Sequence, residues 1–374
     1  MFEWFCINFI HDMRRIAFFI FCLSLCLAAS GQDYDYSFTE ASDLTIFGKV
    51  FQDTPNPYQR MDFTRFGGWT EKDISLLEMP SGIVVSFKTD SPVISIKPEF
   101  LKIDRTDASG FAARGFDLYI KRDGKWLWAG SCAYGKELEK ENGKIHRLVD
   151  HMDGSLKECI VYLPTFSKMT SVQIGVLAGS VIEKGDVPFR HKICLHGSSF
   201  MHGANTGRAG QTVPGFLTRA TGLQFCSLGV SGDCRMQPQF AAALAESDVE
   251  AFVFDAFSNG NAGTVRENLF PFIETIQAKK PGVPLIFMHT IWRERRNFNL
   301  KHDREEGSKI ATADSLMKIA VKKYKDVYYI NSNAASELHD TSEDGVHPSE
   351  WGYYLWAESV RKPILRILRK YGIK

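Results

Sequence analysis

The chain has 374 residues, 44% hydrophobic and 24% charged, a composition typical of globular proteins that excludes a disordered or fibrous one. This length favours two domains. The formal net charge of +1 gives no electrostatic case for nucleic acid or an anionic membrane surface as a partner.

Residues 1–31 have the pattern of a secretory signal peptide. Met13-Arg14-Arg15 is basic, residues 16–27 are apolar, and small residues lead up to Gly31. Met13 is an alternative start of this signal. Because the apolar run is short for a bilayer span, we expect a secreted or periplasmic protein without stable membrane insertion after the signal is removed.

The cysteines beyond this signal are odd in number, which leaves at least one thiol without a partner. In an oxidising compartment, Cys132 and Cys159 are a candidate disulfide pair. Cys194 and Cys226 lie in apolar strand patterns and are expected in the core, while Cys234 completes the set. The absence of a Cys-x-x-Cys motif in the sequence argues against a zinc or redox site.

The segment 33–185 has the pattern of an all-β domain. Apolar runs are separated by turn residues, and Asp123-Gly124 is typical of a hairpin. Trp126 and Trp128 share one face of a strand, with core packing as the default and sugar stacking as the alternative. Short strands without helical periodicity predict an antiparallel sandwich of jelly-roll type. The expected strands cover residues 44–50, 82–89, 93–100, 115–122, 125–129, 159–163 and 172–177.

After a linker over residues 183–191, apolar strands alternate with amphipathic helices. This alternation predicts a parallel sheet covered on both faces, an α/β domain over residues 190–374. Reactive groups of such a sheet gather at the carboxyl ends of its strands. The expected strands cover residues 193–196, 225–230, 251–257, 285–290 and 327–331, and the expected helices 213–221, 237–245, 265–278, 309–324 and 349–371.

Loops at these strand ends carry groups suited to nucleophilic catalysis. Ser199 follows the first strand, and His347 with Asp344 precedes the last helix, which supplies a hydroxyl, a base and a carboxylate to orient the base. Gly232 follows the second strand and Asn259 the third. The backbone N–H groups of Ser199 and Gly232, together with the Asn259 amide, would form an oxyanion hole.

Taken in chain order, these motifs resemble the SGNH, or GDSL-like, hydrolase family, over residues 192–371. The resemblance implies a flavodoxin-like α/β/α hydrolase domain that needs no metal or other cofactor and hydrolyses esters, often O-acetyl esters, through an acyl-enzyme. A further segment resembles the Gly-x-Asp-Leu-Tyr signature of the β-domain in one exported branch, and its Asp117 is expected to hold a loop across the domain junction. The matching segments are Gly197-Ser198-Ser199, Leu228-Gly229-Val230-Ser231-Gly232, Asn259, Asp344-Gly345-Val346-His347-Pro348 and Gly115-Phe116-Asp117-Leu118-Tyr119.

Departures from the family pattern leave alternatives open. Ser198 stands where an aspartate usually precedes the nucleophile. Asn261 competes with Asn259 for the amide role, and a helix N-cap is the competing role of Asn259. Gly229 likewise competes with Gly232 as the glycine whose backbone N–H enters the oxyanion hole.

Three further residues are candidates for substrate binding. Trp292 and Arg293 stand in a loop that leaves the catalytic edge, where a ring would stack on a sugar and a guanidinium would bind an acidic substituent. The default interpretation of residues 293–296 is a solvated charged segment. His202 follows the nucleophile as a candidate pocket residue, whereas His196 is expected to pack at a strand end.

The sequence therefore predicts an exported serine esterase that removes small acyl groups, in particular O-acetyl groups, from carbohydrate. Its substrate would be an acylated oligo- or polysaccharide, an inference based on export, the accessory β-domain and analogy. A lipid or aryl esterase of the same fold is one alternative, disfavoured by the lack of a long apolar lid segment. The other is an inactive glycan-binding protein, disfavoured by the intact pair of Asp344 and His347.

Overall fold

The computed structural model describes residues 34–103 and 108–374, so the predicted signal peptide lies outside the described residues. The chain divides into a unit of Met1–Tyr36 and a compact unit of Ser37–Lys374. The second unit contains an antiparallel part followed by a parallel α/β part. Within the described ranges, no helix is long and apolar enough to cross a bilayer.

The antiparallel part consists of two facing sheets, as the strand pattern predicts. The strands are β1 Tyr36–Glu40, β2 Thr45–Phe47, β3 Val84–Thr89, β4 Ile94–Ile103, β5 Gly115–Arg122, β6 Lys125–Ala133, β7 His146–Val149, β8 Lys157–Tyr162, β9 Ser167–Leu177 and β10 Ile182–Lys184. One sheet has the order β1-β9-β4-β7 and the other β10-β3-β8-β5-β6, with β2 beside β3. Both sheets bury apolar side chains in a shared core, such as Ile96 and Ile174 from one and Val85 and Val161 from the other.

Short helices lie between these strands: α1 Glu71–Leu77, α2 Gly110–Ala113 and α3 Leu138–Glu141.

The predicted disulfide between Cys132 and Cys159 is wrong, because all the described cysteines are free and buried. Strand β5 lies between the two thiols, with Cys132 opposite Phe116 and Cys159 opposite Ile120. One intervening strand separates their backbones by about 9–10 Å, more than the roughly 7 Å that a disulfide tolerates. Burial raises the pKa of each thiol to about 12, so neither is a reactive nucleophile.

The second part is a parallel sheet of flavodoxin-like order. Its strands are β11 Arg190–Gly197, β12 Leu223–Gly229, β13 Ala251–Asp255, β14 Leu285–Met288 and β15 Val327–Ile330. They are arranged β12-β11-β13-β14-β15, so the strand order reverses beside β11. Ligands of such sheets bind at this reversal, outside the carboxyl ends of the strands.

Helices cover both faces of this sheet, which completes the predicted α/β/α architecture. The helices are α4 Ser199–His202, α5 Val213–Thr221, α6 Pro238–Ala245, α7 Ala262–Lys279, α8 Leu300–Lys323 and α9 Glu350–Leu368. α5 and α9 bury residues such as Leu217 and Trp356 on one face. α6, α7 and α8 bury Phe240, Ile273 and Met317 on the other.

The segment between β2 and β3 packs on the parallel sheet. Its Phe51 and Met61 belong to the core under α6, α7 and α8. Arg60 is fully buried, and its guanidinium donates to the carbonyls of Gly229 at 2.9 Å and Met79 at 2.8 Å. Part of the N-terminal half is therefore built into the core of the parallel α/β part.

A second connection between the two parts is centred on Asp117, which holds a loop of the α/β part as predicted. Its carboxylate accepts from the backbone N–H of Gly210 at 3.1 Å and from Arg208 Nε at 3.2 Å. Burial raises the pKa of Asp117, although Arg208 and Arg219 oppose this effect.

The expected core packing of Trp128 is wrong, because this residue is 52% exposed while its indole N–H donates to Asp117.

Candidate active site

Ser199 lies at the first position of α4, directly after β11. The Ser198 side chain accepts from Phe200 N at 3.2 Å, and Gly203 ends this single turn with a left-handed φ of 90°. The strand-to-helix turn therefore presents Ser199 at the carboxyl end of the sheet, with 6% of its surface exposed.

A carboxylate beside the Ser198-Ser199 turn comes from the neighbouring strand. Asp255, at the end of β13, accepts from the Ser198 hydroxyl at 2.6 Å and from Ser198 N at 3.1 Å. A Cβ at Gly197 would lie 2.7 Å from Asp255 Cβ, so glycine permits this close approach. Burial raises the pKa of Asp255, although hydrogen bonds from Ser198 and Ser258 oppose the rise.

The structure brings Ser199, His347 and Asp344 together in one hydrogen-bonded chain. Ser199 Oγ lies 2.9 Å from His347 Nε2, and His347 Nδ1 lies 2.8 Å from Asp344 Oδ2. A hydroxyl, an imidazole and a carboxylate in this order can move the serine proton to the imidazole while the carboxylate fixes its tautomer.

Asp344 is held by the loop that it orients. Its second oxygen accepts from the backbone N–H groups of Val346 at 2.8 Å and His347 at 2.7 Å. Burial works to raise the pKa of Asp344, but its hydrogen bonds to His347 and Val346 outweigh that effect and lower it. The carboxylate therefore stays ionised near neutral pH, where it can stabilise an imidazolium.

Donors suited to an oxyanion hole follow the neighbouring strands β12, β11 and β13. Within the part of the chain that the structure describes, no protein acceptor bonds to the backbone N–H of Ser199 or Gly232. Gly232 lies in a turn with φ of 68°. Asn259 Oδ1 accepts from Cys234 N at 3.1 Å, which leaves its amide hydrogens to donate elsewhere.

Hydrogen bonds and packing distinguish Asn259 from Asn261, and Gly232 from Gly229, as candidates for the oxyanion hole. Asn261 caps α7 by accepting from Thr264 N at 3.1 Å, so the N-cap role falls to Asn261 and Asn259 is left for the site. A Cβ at Gly229 would lie 2.1 Å from His202 N, which indicates that this glycine serves the close packing of α4. Gly232 is the glycine in the loop beyond β12.

Residues 293–296 do not form the solvated charged segment that the sequence suggests. The Glu294 carboxylate accepts from the Thr341 N–H at 2.8 Å and from the Ser342 N–H at 2.7 Å. Arg295 donates to the Asp344 carbonyl at 2.8 Å. These contacts brace the loop that carries His347 and Asp344.

Two of the candidate substrate-binding residues are largely buried and bonded within the protein. His202 has no exposed surface, and its Nε2 contacts the Thr165 carbonyl at 2.8 Å, at the junction with the sandwich. The Arg293 side chain is 10% exposed and binds Glu306 at 3.1 Å. Both predictions are therefore corrected, whereas Trp292 remains 37% exposed.

Family models match both parts of the chain. The model of the GDSL-like lipase/acylhydrolase family matches residues 190–366. The GxDLY model, the N-terminus of SGNH-hydrolase-type esterases, matches residues 36–182. A GDSL-like lipase from Bacteroides ovatus is 31% identical with a TM-score of 0.85, over 90% of this chain and 98% of that chain. The chain belongs to the GDSL-like lipase/acylhydrolase family. The resemblance seen in the sequence is confirmed.

Two further solved structures share the fold of this GDSL-like acylhydrolase. A salicylyl-acyltransferase from a tetracycline biosynthetic pathway is 18% identical, with a TM-score of 0.66 over 91% of this chain and 99% of that chain. A family two carbohydrate esterase from Cellvibrio japonicus is 10% identical, with a TM-score of 0.54 over 90% and 99%. No curated protein matches this chain by sequence.

Several residues around the site of this acylhydrolase were missed by sequence reasoning. Asp255 ends an apolar strand, and the apolar pattern indicates only its place in that strand. Glu306 and Lys309 belong to a strongly charged stretch that gave no sign of burial, yet they are 6% and 2% exposed. The available signal for Asp255 was a carboxylate at the carboxyl end of a buried parallel strand.

Proposed function

We propose that this chain is a serine esterase that removes small acyl groups, in particular O-acetyl groups, from carbohydrate. The observation that carries the proposal is the hydrogen-bonded chain from Ser199 Oγ through His347 to Asp344, with distances of 2.9 and 2.8 Å. Membership of the acylhydrolase family supports ester hydrolysis.

In the acylation step, Ser199 Oγ attacks the ester carbonyl and its proton passes to His347 Nε2. The carbonyl oxygen takes up negative charge, which the N–H groups of Ser199 and Gly232 and the Asn259 amide stabilise. The carbon–oxygen bond to the sugar then breaks, and His347 returns the proton to the leaving hydroxyl. An acyl group now esterifies Ser199.

In the deacylation step, His347 takes a proton from water, and the resulting hydroxide attacks the acyl carbonyl. Collapse of the second tetrahedral intermediate breaks the bond to Ser199 Oγ, which regains its proton from His347. The carboxylic acid leaves. Asp344 keeps its charge throughout, because its pKa is lowered by the hydrogen bonds from His347 and Val346.

The carbohydrate part of the proposal is supported by the solved neighbours and by Trp292. A family two carbohydrate esterase from Clostridium thermocellum, 12% identical with a TM-score of 0.52, was solved in complex with cellohexaose. Trp292, beside the segment that braces the catalytic loop, is 37% exposed and offers a ring for stacking on a sugar. Export to the periplasm or the medium is proposed from the basic and apolar pattern before Gly31.

The test is hydrolysis of chromogenic acetate and octanoate esters by the wild type, Ser199→Ala and His347→Ala. We expect the wild type to prefer acetate, and each variant to lose kcat by about 10⁴-fold or more, because each change removes a group needed for proton transfer. Matched controls are Ser308→Ala and His151→Ala, which alter exposed residues away from the site. Release of acetate from acetylated polysaccharides is measured next.

The outcomes separate the proposal from its alternatives. A preference for octanoate, or no acetate released from any acetylated glycan while lipid esters are cleaved, would replace carbohydrate by lipid substrates. A folded wild type that binds glycans without turnover would make the protein a binding module.

A further inference from the structure

A buried cluster of charged groups lies behind the Asn259 loop. It consists of Asp255, Arg293, Glu306 and Lys309, arranged around Ser258. Asp255, Glu306 and Lys309 are 1%, 6% and 2% exposed, and the Arg293 side chain is 10% exposed. Two cations and two carboxylates balance one another in charge.

Both cations of the cluster bind one backbone oxygen. Lys309 Nζ donates to the Ser258 carbonyl at 3.3 Å, and Arg293 Nη2 donates to the same oxygen. Glu306 holds the two cations in place, at 2.7 Å from Lys309 Nζ and 3.1 Å from Arg293 Nη1. The other face of Ser258 is also fixed, since its hydroxyl donates to Asp255 and contacts Thr290 Oγ1 at 3.0 Å.

The Ser258 carbonyl belongs to the peptide group that joins Ser258 to Asn259. Fixing that oxygen fixes the peptide plane from which the Asn259 side chain projects. The far end of the side chain is fixed as well, because Asn259 Oδ1 accepts from Cys234 N at 3.1 Å. Asn259 is thereby held both at its backbone and at the amide end of its side chain.

Stability alone gives little reason for such a cluster. Replacing buried ion pairs by apolar residues of similar volume is often neutral or stabilising. A preorganised oxyanion hole, in contrast, requires donors held within about 0.5 Å of the reactive geometry. The same cluster also reaches the nucleophile turn, because Asp255 accepts from Ser198.

We propose that Lys309 and Arg293 are positioning residues that aim the Asn259 amide at the oxyanion by holding the Ser258 carbonyl. This inference rests on the proposed esterase function. Neither side chain contacts the substrate. Loss of either cation lets the peptide group rotate, so that the amide stabilises the tetrahedral intermediate less well.

The test is a double-mutant cycle between Lys309→Met and Asn259→Ala, measured with the acetate ester. We expect Lys309→Met to lower kcat by about tenfold with KM changed less than about twofold, a smaller loss than the about 10²-fold expected for removing the amide itself. In the Asn259→Ala background, Lys309→Met should cause no further loss, because its effect passes through the missing amide. Unchanged kcat in Lys309→Met, or losses that multiply in the double variant, would overturn the proposal.

Controls separate this inference from general damage to the fold. Lys323→Met alters a lysine of the same helix whose side chain is 54% exposed, and it should keep wild-type kcat. Should Lys309→Met not yield folded protein, Arg293→Met removes the other donor to the same carbonyl and enters the same cycle with the same expectation.

A fluorophosphonate probe that phosphonylates Ser199 distinguishes failure of the inference from failure of the esterase function. Its phosphoryl oxygen requires the same donors, so Lys309→Met should slow labelling as it slows kcat. A wild type that labels without hydrolysing the esters contradicts the proposed substrate and leaves the cycle measurable by labelling rates. A folded wild type that neither labels nor hydrolyses overturns both proposals.

Discussion

His196 is an uncharged histidine within the core of the parallel sheet. Its ring stacks on Phe240 with centroids 4.9 Å apart, and Nδ1 donates to the Leu228 carbonyl at 2.8 Å. Burial lowers the pKa of His196 to about 4, compared with about 6.5 in an unfolded chain. The folded state therefore binds a proton on His196 more weakly than the unfolded state does. The contribution of uncharged His196 to the free energy of unfolding is fully present above pH ~6.5 and is lost as the pH falls toward about 4.

We therefore expect His196→Phe to flatten the pH dependence of stability. Between pH ~7 and ~5, titration of His196 should remove about 2 kcal/mol from the free energy of unfolding of the wild type. The variant should lack this contribution, although it has a lower stability at neutral pH because the Leu228 carbonyl loses its donor. Urea unfolding at both pH values measures the difference, with exposed His151→Phe as the control. Equal pH slopes in the wild type and His196→Phe would contradict the assignment.

Single residues were predictable where the local chain specifies the chemistry. Ser199 and His347 stand in two separate short motifs, one at a strand end and one before a helix. In the folded chain the two motifs meet, with Ser199 Oγ 2.9 Å from His347 Nε2. Lys309 was not predictable as a buried cation, because its burial depends on Glu306 and on a carbonyl 51 positions away in the chain. Side chains of this kind acquire their role from tertiary contacts.

At the scale of elements, Asp117 joins the start of β5 to the loop after α4. Gly210 N and Arg208 Nε donate to different oxygens of Asp117. Asparagine at this position would turn its amide N–H₂ toward one of these two donors, and would leave the guanidinium without its carboxylate. We expect Asp117→Asn to destabilise the protein by about 3 kcal/mol and to open the loop around Arg208 to proteases. Thermal unfolding and limited proteolysis measure the two effects.

Trp128→Phe is the matched control for this junction. It removes one donor to Asp117 and keeps an aromatic ring below the Arg208 guanidinium, which lies 4.8 Å from the Trp128 ring. The expected loss is about 1 kcal/mol without faster proteolysis. Similar losses in both variants would show that the carboxylate does not hold the loop.

Elements were predicted well where turn and cap signals mark their ends. β5 spans Gly115–Arg122 and α5 spans Val213–Thr221, as predicted, because Asp123-Gly124 ends the first and the left-handed Gly222 ends the second. α8 begins at Leu300 instead of residue 309, since its first turns are polar and are set by the Asn299 cap and by contacts of Glu306. The predicted apolar periodicity therefore detected only the later part of this helix.

At the scale of the whole molecule, the sandwich and the parallel sheet belong to one compact unit. The core on the α6–α8 side of the sheet is completed by Phe51 and Met61, which precede every strand of that sheet in the chain. Arg60 satisfies the Gly229 carbonyl of β12 from the same segment. Residues from the N-terminal part of the sequence thus complete the core of the C-terminal part.

A chain comprising residues 187–374 alone should therefore fail to form a native core. It lacks the side chains that cover the α6–α8 face, and the carbonyl of Gly229 loses the buried guanidinium that satisfies it. We expect this fragment to aggregate or to bind a hydrophobic dye without a cooperative transition, whereas the protein beginning at residue 34 should unfold in a single transition by calorimetry. A monomeric fragment with a cooperative transition and wild-type kcat on the acetate ester would contradict this account, because the catalytic loops would then be supported by the parallel sheet and its helices alone.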